Sequence, residues 1–222
     1  MSLLEKTIKF FTIELLGSNP VFVNVYDNYV DSGILAKDRN YQTLIVEVTS
    51  NNVDISNIGD YEILYTIKNS NNYIFGTYVR NVKVVDIISP IINLIGANPL
   101  TIEVNTQMPE NINETNFYGA IASNNYDNIV DVSFNTDLNI NIVGTYVINY
   151  YASDSNGNFA NASRIINVID SIPPVVELIR ENPIIVNINT PYNDLGLSAL
   201  DNYDSSLTVI EKTNININKV GI

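Results

Sequence analysis

The chain contains no cysteine and no histidine, and sets only 11 lysines and arginines against 24 aspartates and glutamates. Without cysteine there is no disulfide framework, and nothing argues for an oxidising compartment. Without cysteine and histidine, Ser–His–Asp triads, thiolate nucleophiles and histidine-based metal sites lack their parts. A carboxylate pair for glycoside hydrolysis is the remaining catalytic option. The acidic residues fall in repeated turn positions, however, so the expectation is a protein that is not an enzyme. The net charge of −13 repels a polyanion, which excludes nucleic acid as a partner. No stretch reaches the ~18 uninterrupted apolar residues that span a bilayer, so no membrane insertion is expected. Nor is the start expected to be a secretory signal: Lys6 and Lys9 precede only Phe10 to Ile13 before Glu14 intervenes, with no small-residue cleavage site following.

What is present is β-forming and repetitive. Isoleucine is about one residue in seven and asparagine about one in six, a joint excess that fits an A/T-rich genome. A single motif occurs three times: Leu15-Leu16-Gly17-Ser18-Asn19-Pro20, Leu94-Ile95-Gly96-Ala97-Asn98-Pro99 and Leu178-Ile179-Arg180-Glu181-Asn182-Pro183. Asn19 to Asn98 is 79 residues and Asn98 to Asn182 is 84. That period is too long for a solenoid turn or propeller blade and suits a small β-sandwich domain.

Alternation places the strands. In the second repeat Ile91–Ile95, Leu100–Val104, Ile129–Phe134, Tyr146–Ala152 and Arg164–Ile169 read as strands. Leu138-Asn139-Ile140-Asn141-Ile142 alternates apolar with asparagine and reads as one more, with isoleucine inward. The first repeat follows the same plan through Tyr61–Tyr65 and Val82–Asp86. The third runs through Tyr192–Gly196 and Ile215-Asn216-Ile217-Asn218, then stops at Ile222, where the counterpart of Tyr146–Ala152 should begin. The expected organisation is a lead-in at 1–9, domains at 10–87 and 88–170, and an incomplete third domain at 171–222 within a longer polypeptide. Short junctions, Asp86–Pro90 and Asp170–Pro174, imply semi-rigid connections.

These landmarks resemble the bacterial-type immunoglobulin-like repeats of the DUF5011/HYR group. Asp170, Pro173, Pro174, Asn182 and Pro183 match its pattern, followed by Tyr192, Asp194, Gly196, Ala199 and Asp201. The first repeat carries Tyr29, Asp31, Gly33, Ala36 and Asp38 at the same spacings. The second matches through Val143-Gly144-Thr145-Tyr146 and through Tyr150, Ala152, Asp154, Gly157 and Asn158. It departs at Phe117 and Asn124, where the others have Asp, and the first repeat departs at Asn69–Tyr73. The resemblance implies all-β, tandem, seven-stranded Greek-key sandwiches with a structural or adhesive role and no catalytic residues.

Three constellations need weighing. Gly59/Tyr61 and Gly144/Tyr146 sit where such a sandwich places its tyrosine corner, and Tyr61, Ile63 and Tyr65 share one face. Core packing with hydroxyls reaching backbone at the rim explains them better than an aromatic binding strip. Asp154, Asn156 and Asn158 alternate oxygen ligands around Gly157, and Asp170 lies at the next junction. These four are the calcium candidates, with Asp194, Asp201 and Asp204 a further acidic group. The competing reading of Asp154–Asn158 is an Asx-type hairpin turn. Asn113-Glu114-Thr115 and Asn161-Ala162-Ser163 satisfy the glycosylation triplet, as chance expects in so asparagine-rich a chain.

The functional expectation is a non-enzymatic structural module at a virion surface, in a large DNA virus, from the Met1-Ser2-Leu3 start without an export signal. A bacterial cell-surface adhesin or carbohydrate-binding stalk is the alternative. Expected partners are other structural proteins of the same assembly, met through sheet faces and edges, with a host-surface glycan or receptor as a further candidate. No cofactor is expected apart from the calcium candidates.

Overall fold

A computed structural model describes residues 11–107 and 119–221. Every regular element among them is a strand. The first repeat supplies β1 (Phe11–Leu15), β2 (Val21–Asn24), β3 (Ile34–Asp38), β4 (Ile45–Asn51), β5 (Gly59–Lys68) and β6 (Ile74–Val85). β1 and β3 form one antiparallel sheet with Phe11 opposite Asp38 and Leu15 opposite Ile34. The other sheet has the order β2-β6-β5-β4, with β2 parallel to β6 and β5 antiparallel to both its neighbours.

The two sheets close on one core. β5 turns Tyr61, Ile63, Tyr65 and Ile67 inward, as a period-two strand must, and the last three are buried. They meet Val23 of β2, Ile34 and Ala36 of β3 and Val82 of β6, flanked by Ile13 and Leu15 of β1. Each fully buried aliphatic side chain here contributes roughly 1.5–3 kcal/mol.

The second repeat repeats the plan. It comprises β7 (Ile91–Leu94), β8 (Leu100–Glu103), β9 (Ala120–Ser123), β10 (Val132–Thr136), β11 (Gly144–Ser153) and β12 (Phe159–Ile169). β7 pairs with β9, the other sheet runs β10-β11-β12-β8, and β8 is parallel to β12. Ile148, Tyr150, Ile166 and Val168 centre its core. Of the third repeat, β13 (Val175–Leu178) and β14 (Leu197–Leu200) pair antiparallel. The tandem sandwich architecture expected from the repeat is therefore present.

The described residues divide into two compact units: residues up to 91 together with 122–131 and 152–160, and the remainder. The segments 122–131 and 152–160 thus belong by packing to the first unit, although the sequence repeat counts them in the second.

Three features differ from the sequence reading. Among the described residues the first repeat holds six strands where seven were expected, and a tight turn at Asp54 leads from β4 into β5: Asp54 Oδ1 accepts the Ser56 N–H at 2.9 Å. Leu138–Ile142 is not a strand. The Asn139 side chain accepts the Asn141 N–H at 3.0 Å and closes an Asx turn, while Leu138 and Ile140 still pack on the core. Ile215–Asn218 fails as a strand for the same reason, with the Asn218 N–H on Asn216 Oδ1 at 3.0 Å. Alternating asparagine was a turn signal there, since a local side-chain acceptor competes with the sheet ladder. Asn113–Thr115 and Phe117 lie outside the described residues.

Candidate functional site

The acidic turn at Asp154 lies where β11 passes into β12. Asp154 Oδ1 accepts the backbone N–H groups of Asn156 at 3.0 Å and Asn158 at 2.8 Å, and Gly157 takes φ +87°. Asp154 Oδ2 accepts the side-chain amides of Asn158 at 2.8 Å and Asn124 at 3.3 Å. Burial disfavours ionisation of Asp154, but the hydrogen bonds from Asn158, Asn156 and Gly157 together outweigh it and hold the carboxyl below its usual range. Asn156 and Asn158 also direct their amide nitrogens to the Asp86 carboxylate at 3.4 Å and the Asp86 carbonyl at 3.2 Å. Asn124 donates to the Ile88 carbonyl at 2.9 Å, and Asp127 accepts both the N–H and hydroxyl of Ser155 at 2.8 Å. Asp154, Asn156 and Asn158 are thus brought together, and their polar atoms fasten three segments of one unit. The first repeat builds the same turn from asparagine: Asn69 Oδ1 accepts the N–H groups of Asn71 and Tyr73, each at 3.0 Å, and Asn72 takes φ +63°. That departure from the repeat pattern is chemically conservative.

Asp170 belongs to a different group, in the second unit. One carboxylate oxygen each from Asp170, Asp201 and Asp204 lie within 4.8 Å of one another. Burial, then the charge of Asp201, raise the Asp170 carboxyl above its usual range. Asp201 is lowered by the N–H groups of Asp204 and Tyr203, which it accepts at 2.9 and 2.8 Å. Beside them Glu103 accepts the Ser171 N–H at 3.0 Å and its hydroxyl at 2.7 Å. Asp194 sits apart from this group, on the turn into β14, where it accepts the Gly196 N–H at 2.8 Å and the Tyr192 hydroxyl at 3.3 Å.

The most specific geometry involves two residues that sequence reasoning did not single out, Arg80 and Arg164. Both are 1% exposed or less, on the closing strand of their repeat. Arg80 Nη2 donates to the carbonyls of Leu16 at 2.8 Å and Gly33 at 2.6 Å, Nη1 donates to Ser18 O at 3.1 Å, and Nε lies 2.9 Å from Asp31 Oδ1. Tyr29 and Tyr65 donate their hydroxyls to the same carboxylate, Tyr29 at 3.3 Å. Burial, with the Asp31 hydrogen bond second, pushes the Tyr65 phenol up to about 12. Arg164 Nη2 reaches the matching carbonyls of Ile95 at 2.5 Å and Gly119 at 3.4 Å.

The motif asparagine completes each socket. Asn19 accepts the N–H of Asn81 at 2.8 Å and donates to the carbonyl of Val79 at 3.1 Å, the residues on either side of Arg80. Asn98 does the same to Ile165 at 2.9 Å and Ser163 at 3.0 Å, the residues on either side of Arg164. The Asn–Pro peptide is cis in all three repeats. This is why asparagine marks the repeat: its amide matches an N–H and a C=O of one strand together. A signal was available in the sequence, because Arg80-Val82-Val84 and Arg164-Ile166-Val168 put each arginine in the inward register.

The tyrosine corners are where the sequence placed them. Tyr61 donates to Asn57 O at 2.8 Å and Tyr146 to Ile142 O at 2.9 Å. A methyl on Gly59 or Gly144 would stand 3.5 or 3.3 Å from its tyrosine ring, so the ring covers a position without a side chain. In the Asn161–Ser163 triplet, Ser163 donates its hydroxyl to Asn149 at 2.9 Å and its carbonyl serves the Asn98 clamp.

Comparison with known proteins matches the family described as "Bacterial surface protein, Ig-like domain" at residues 13–84 and 92–168. A protein of Acholeplasma phage L2, described as an uncharacterized 81.3 kDa protein, is 28% identical over 198 residues, covering 84% of this chain. The chain spans 26% of the length of that relative. Among solved structures, the M60 catalytic domain with its CBM51-1 and CBM51-2 domains from Clostridium perfringens ZmpB aligns at a TM-score of 0.38. It is 14% identical and the alignment covers 76% of this chain and 31% of that one. A lipoprotein of Bacteroides thetaiotaomicron aligns at 0.29 with 12% identity, covering 72% and 80%.

Proposed function

Because the chain belongs to the bacterial surface protein Ig-like domain family, we propose that it is a non-enzymatic structural module at the surface of a virus particle. Within that family we assign its repeats to the DUF5011/HYR type. The observation that carries a structural role is where the repeated polar side chains go. Arg80, Arg164, Asn19, Asn98 and both corner tyrosines bond within the scaffold of their own repeat. On this reading the repeats serve as spacers that present sheet faces and edges to neighbouring structural proteins. The viral setting is supported by the phage relative. The family's own description, a bacterial surface protein, supports the second reading, a bacterial cell-surface adhesin or carbohydrate-binding stalk.

Immunogold labelling with antibody to this chain separates them. Label on released, density-purified particles is the expected result. Label confined to the cell envelope, with none on particles, would replace the viral reading by the bacterial one.

A further inference from the structure

Asn156-Gly157 is the one Asn–Gly pair in the whole sequence, and it stands at the tip of the turn between β11 and β12. Such a pair has a reaction open to it that needs no enzyme. The next backbone nitrogen lies within reach of the asparagine side-chain carbonyl carbon, and glycine carries no side chain to shield that nitrogen. The first repeat supplies an internal contrast. Its equivalent turn places Asn71-Asn72 there, under the same caps from the Asn69 side chain and with the same left-handed second residue. Asn72 has a side chain where Gly157 has none.

The pair is accessible and loosely held. Asn156 and Gly157 are both exposed, and a methyl built on Gly157 would meet nothing within 4 Å. The Asn156 amide nitrogen lies 3.4 Å from Asp86 Oδ2 and 3.4 Å from Ser155 Oγ, both longer than the roughly 2.7–3.2 Å of a firm bond. The other amides of the cluster are gripped more closely, Asn158 at 2.8 Å by Asp154 and Asn124 at 2.9 Å by the Ile88 carbonyl. The Gly157 N–H meets the Asp154 carbonyl at 3.3 Å, again at the long end.

We propose that Asn156 is a site of spontaneous modification, and that its conversion to aspartate or isoaspartate releases the turn from Asp86. The Gly157 nitrogen bonds to Asn156 Cγ, and Nδ2 leaves as ammonia with the proton that Gly157 gives up. Water then opens the cyclic imide at either carbonyl, giving a carboxylate with no change of oxidation state. The product sets a negative charge where an amide donor faced Asp86, beside Asp154 and Asp127. Like charges this close repel. Asp154 is kept ionised by its own hydrogen bonds, so it does not relieve the repulsion by taking up a proton at neutral pH. Isoaspartate also adds a methylene to the main chain inside the turn, displacing the N–H groups that Asp154 Oδ1 caps. The fastening of segments 86–88, 124–127 and 154–158 therefore loosens as the molecule ages.

The test incubates the folded full chain in mildly alkaline buffer and maps its peptides by mass spectrometry. The peptide holding Asn156 should gain about one dalton before any other asparagine peptide does, the Asn71 peptide included. Asn156→Gln must close a larger ring and should stay intact over the same period. Amide exchange in segments 86–91 and 122–131 of the converted protein should accelerate about tenfold, the factor that losing one ordinary hydrogen bond gives. Asn156→Gln, aged alongside, should keep the exchange of the fresh protein. Three results would overturn the inference: Asn156 unchanged in the folded chain while it converts in urea, another asparagine converting first, or converted protein that exchanges like the unconverted.

Discussion

Replacing Arg80 with methionine isolates the contribution of the socket to the first repeat. The substitution keeps an unbranched, buried side chain but withdraws the donors that serve Leu16 O, Gly33 O and Ser18 O and the cation beside Asp31. Removing one partner of a buried pair costs about 3–5 kcal/mol, because the remaining charge is left uncompensated. The Asp31 side chain is 18% exposed and keeps two tyrosine hydroxyls, so the lower end, about 3 kcal/mol, is expected. At roughly 1.4 kcal/mol per tenfold, that opens the protein about 150 times more often. Hydrogen exchange in peptides spanning Gly59–Lys68 should accelerate by that factor, with Lys83→Ala as a control. Lys83 pairs with Asp60 at 2.8 Å on the surface, where ion pairs contribute about 0–1 kcal/mol. An acceleration below about fivefold for Arg80→Met, or one equal to the Lys83→Ala control, would refute the reasoning.

Three further outcomes follow from the same geometry. Asn98→Ala should destabilise the second repeat by about 1–3 kcal/mol, since it leaves a strand N–H and C=O unmatched, and urea denaturation should show it. Asn98→Asp should rescue only the N–H half. Tyr146→Phe should cost about 1 kcal/mol through loss of the bond to Ile142 O, measured as a lowered melting temperature. The Tyr65 phenol, raised to about 12 from 10.0, should be absent from the main phenolate absorbance rise near pH 10. Its raised folded value means its contribution is fully present below pH 10 and is lost as pH climbs toward 12, so the stability difference between wild type and Tyr65→Phe should fall as pH rises from 10 to 12 and stay constant below pH 9.

The sequence made the sheets legible because period-two burial is a strong constraint. Tyr61, Ile63, Tyr65 and Ile67 can lie on one face only if the segment is a strand. The corner tyrosines were legible for a related reason, since glycine two residues earlier leaves room for the ring. The Asn139 and Asn216 segments misled because alternation records burial and not backbone conformation. Leu138 and Ile140 face the core from a turn as readily as from a strand. The sockets escaped notice because an arginine between apolar residues reads as a solvated position, and only its carbonyl partners, some 47 to 69 residues away in sequence, explain its burial. The four calcium candidates illustrate the same limit: their spacing was visible, but whether each oxygen faces a neighbour's amide or another carboxylate depends on contacts across loops.

The parallel pairing of the second strand with the last, in the first and second repeats, has a mechanical meaning. Val21–Asn24 lies alongside Val82–Val85, and Leu100–Glu103 alongside Ile166–Ile169. When a load pulls a repeat from its two ends, these strands are drawn in opposite directions along their length. Their inter-strand bonds are then strained together in shear, whereas an antiparallel hairpin pulled from its open end unzips one bond at a time. The asparagine clamp sits at the head of that same pair and adds a latch. Resistance to rupture under tension is set by how fast the strands separate, not by equilibrium stability. A repeat of this kind placed under tension would hold by that rate.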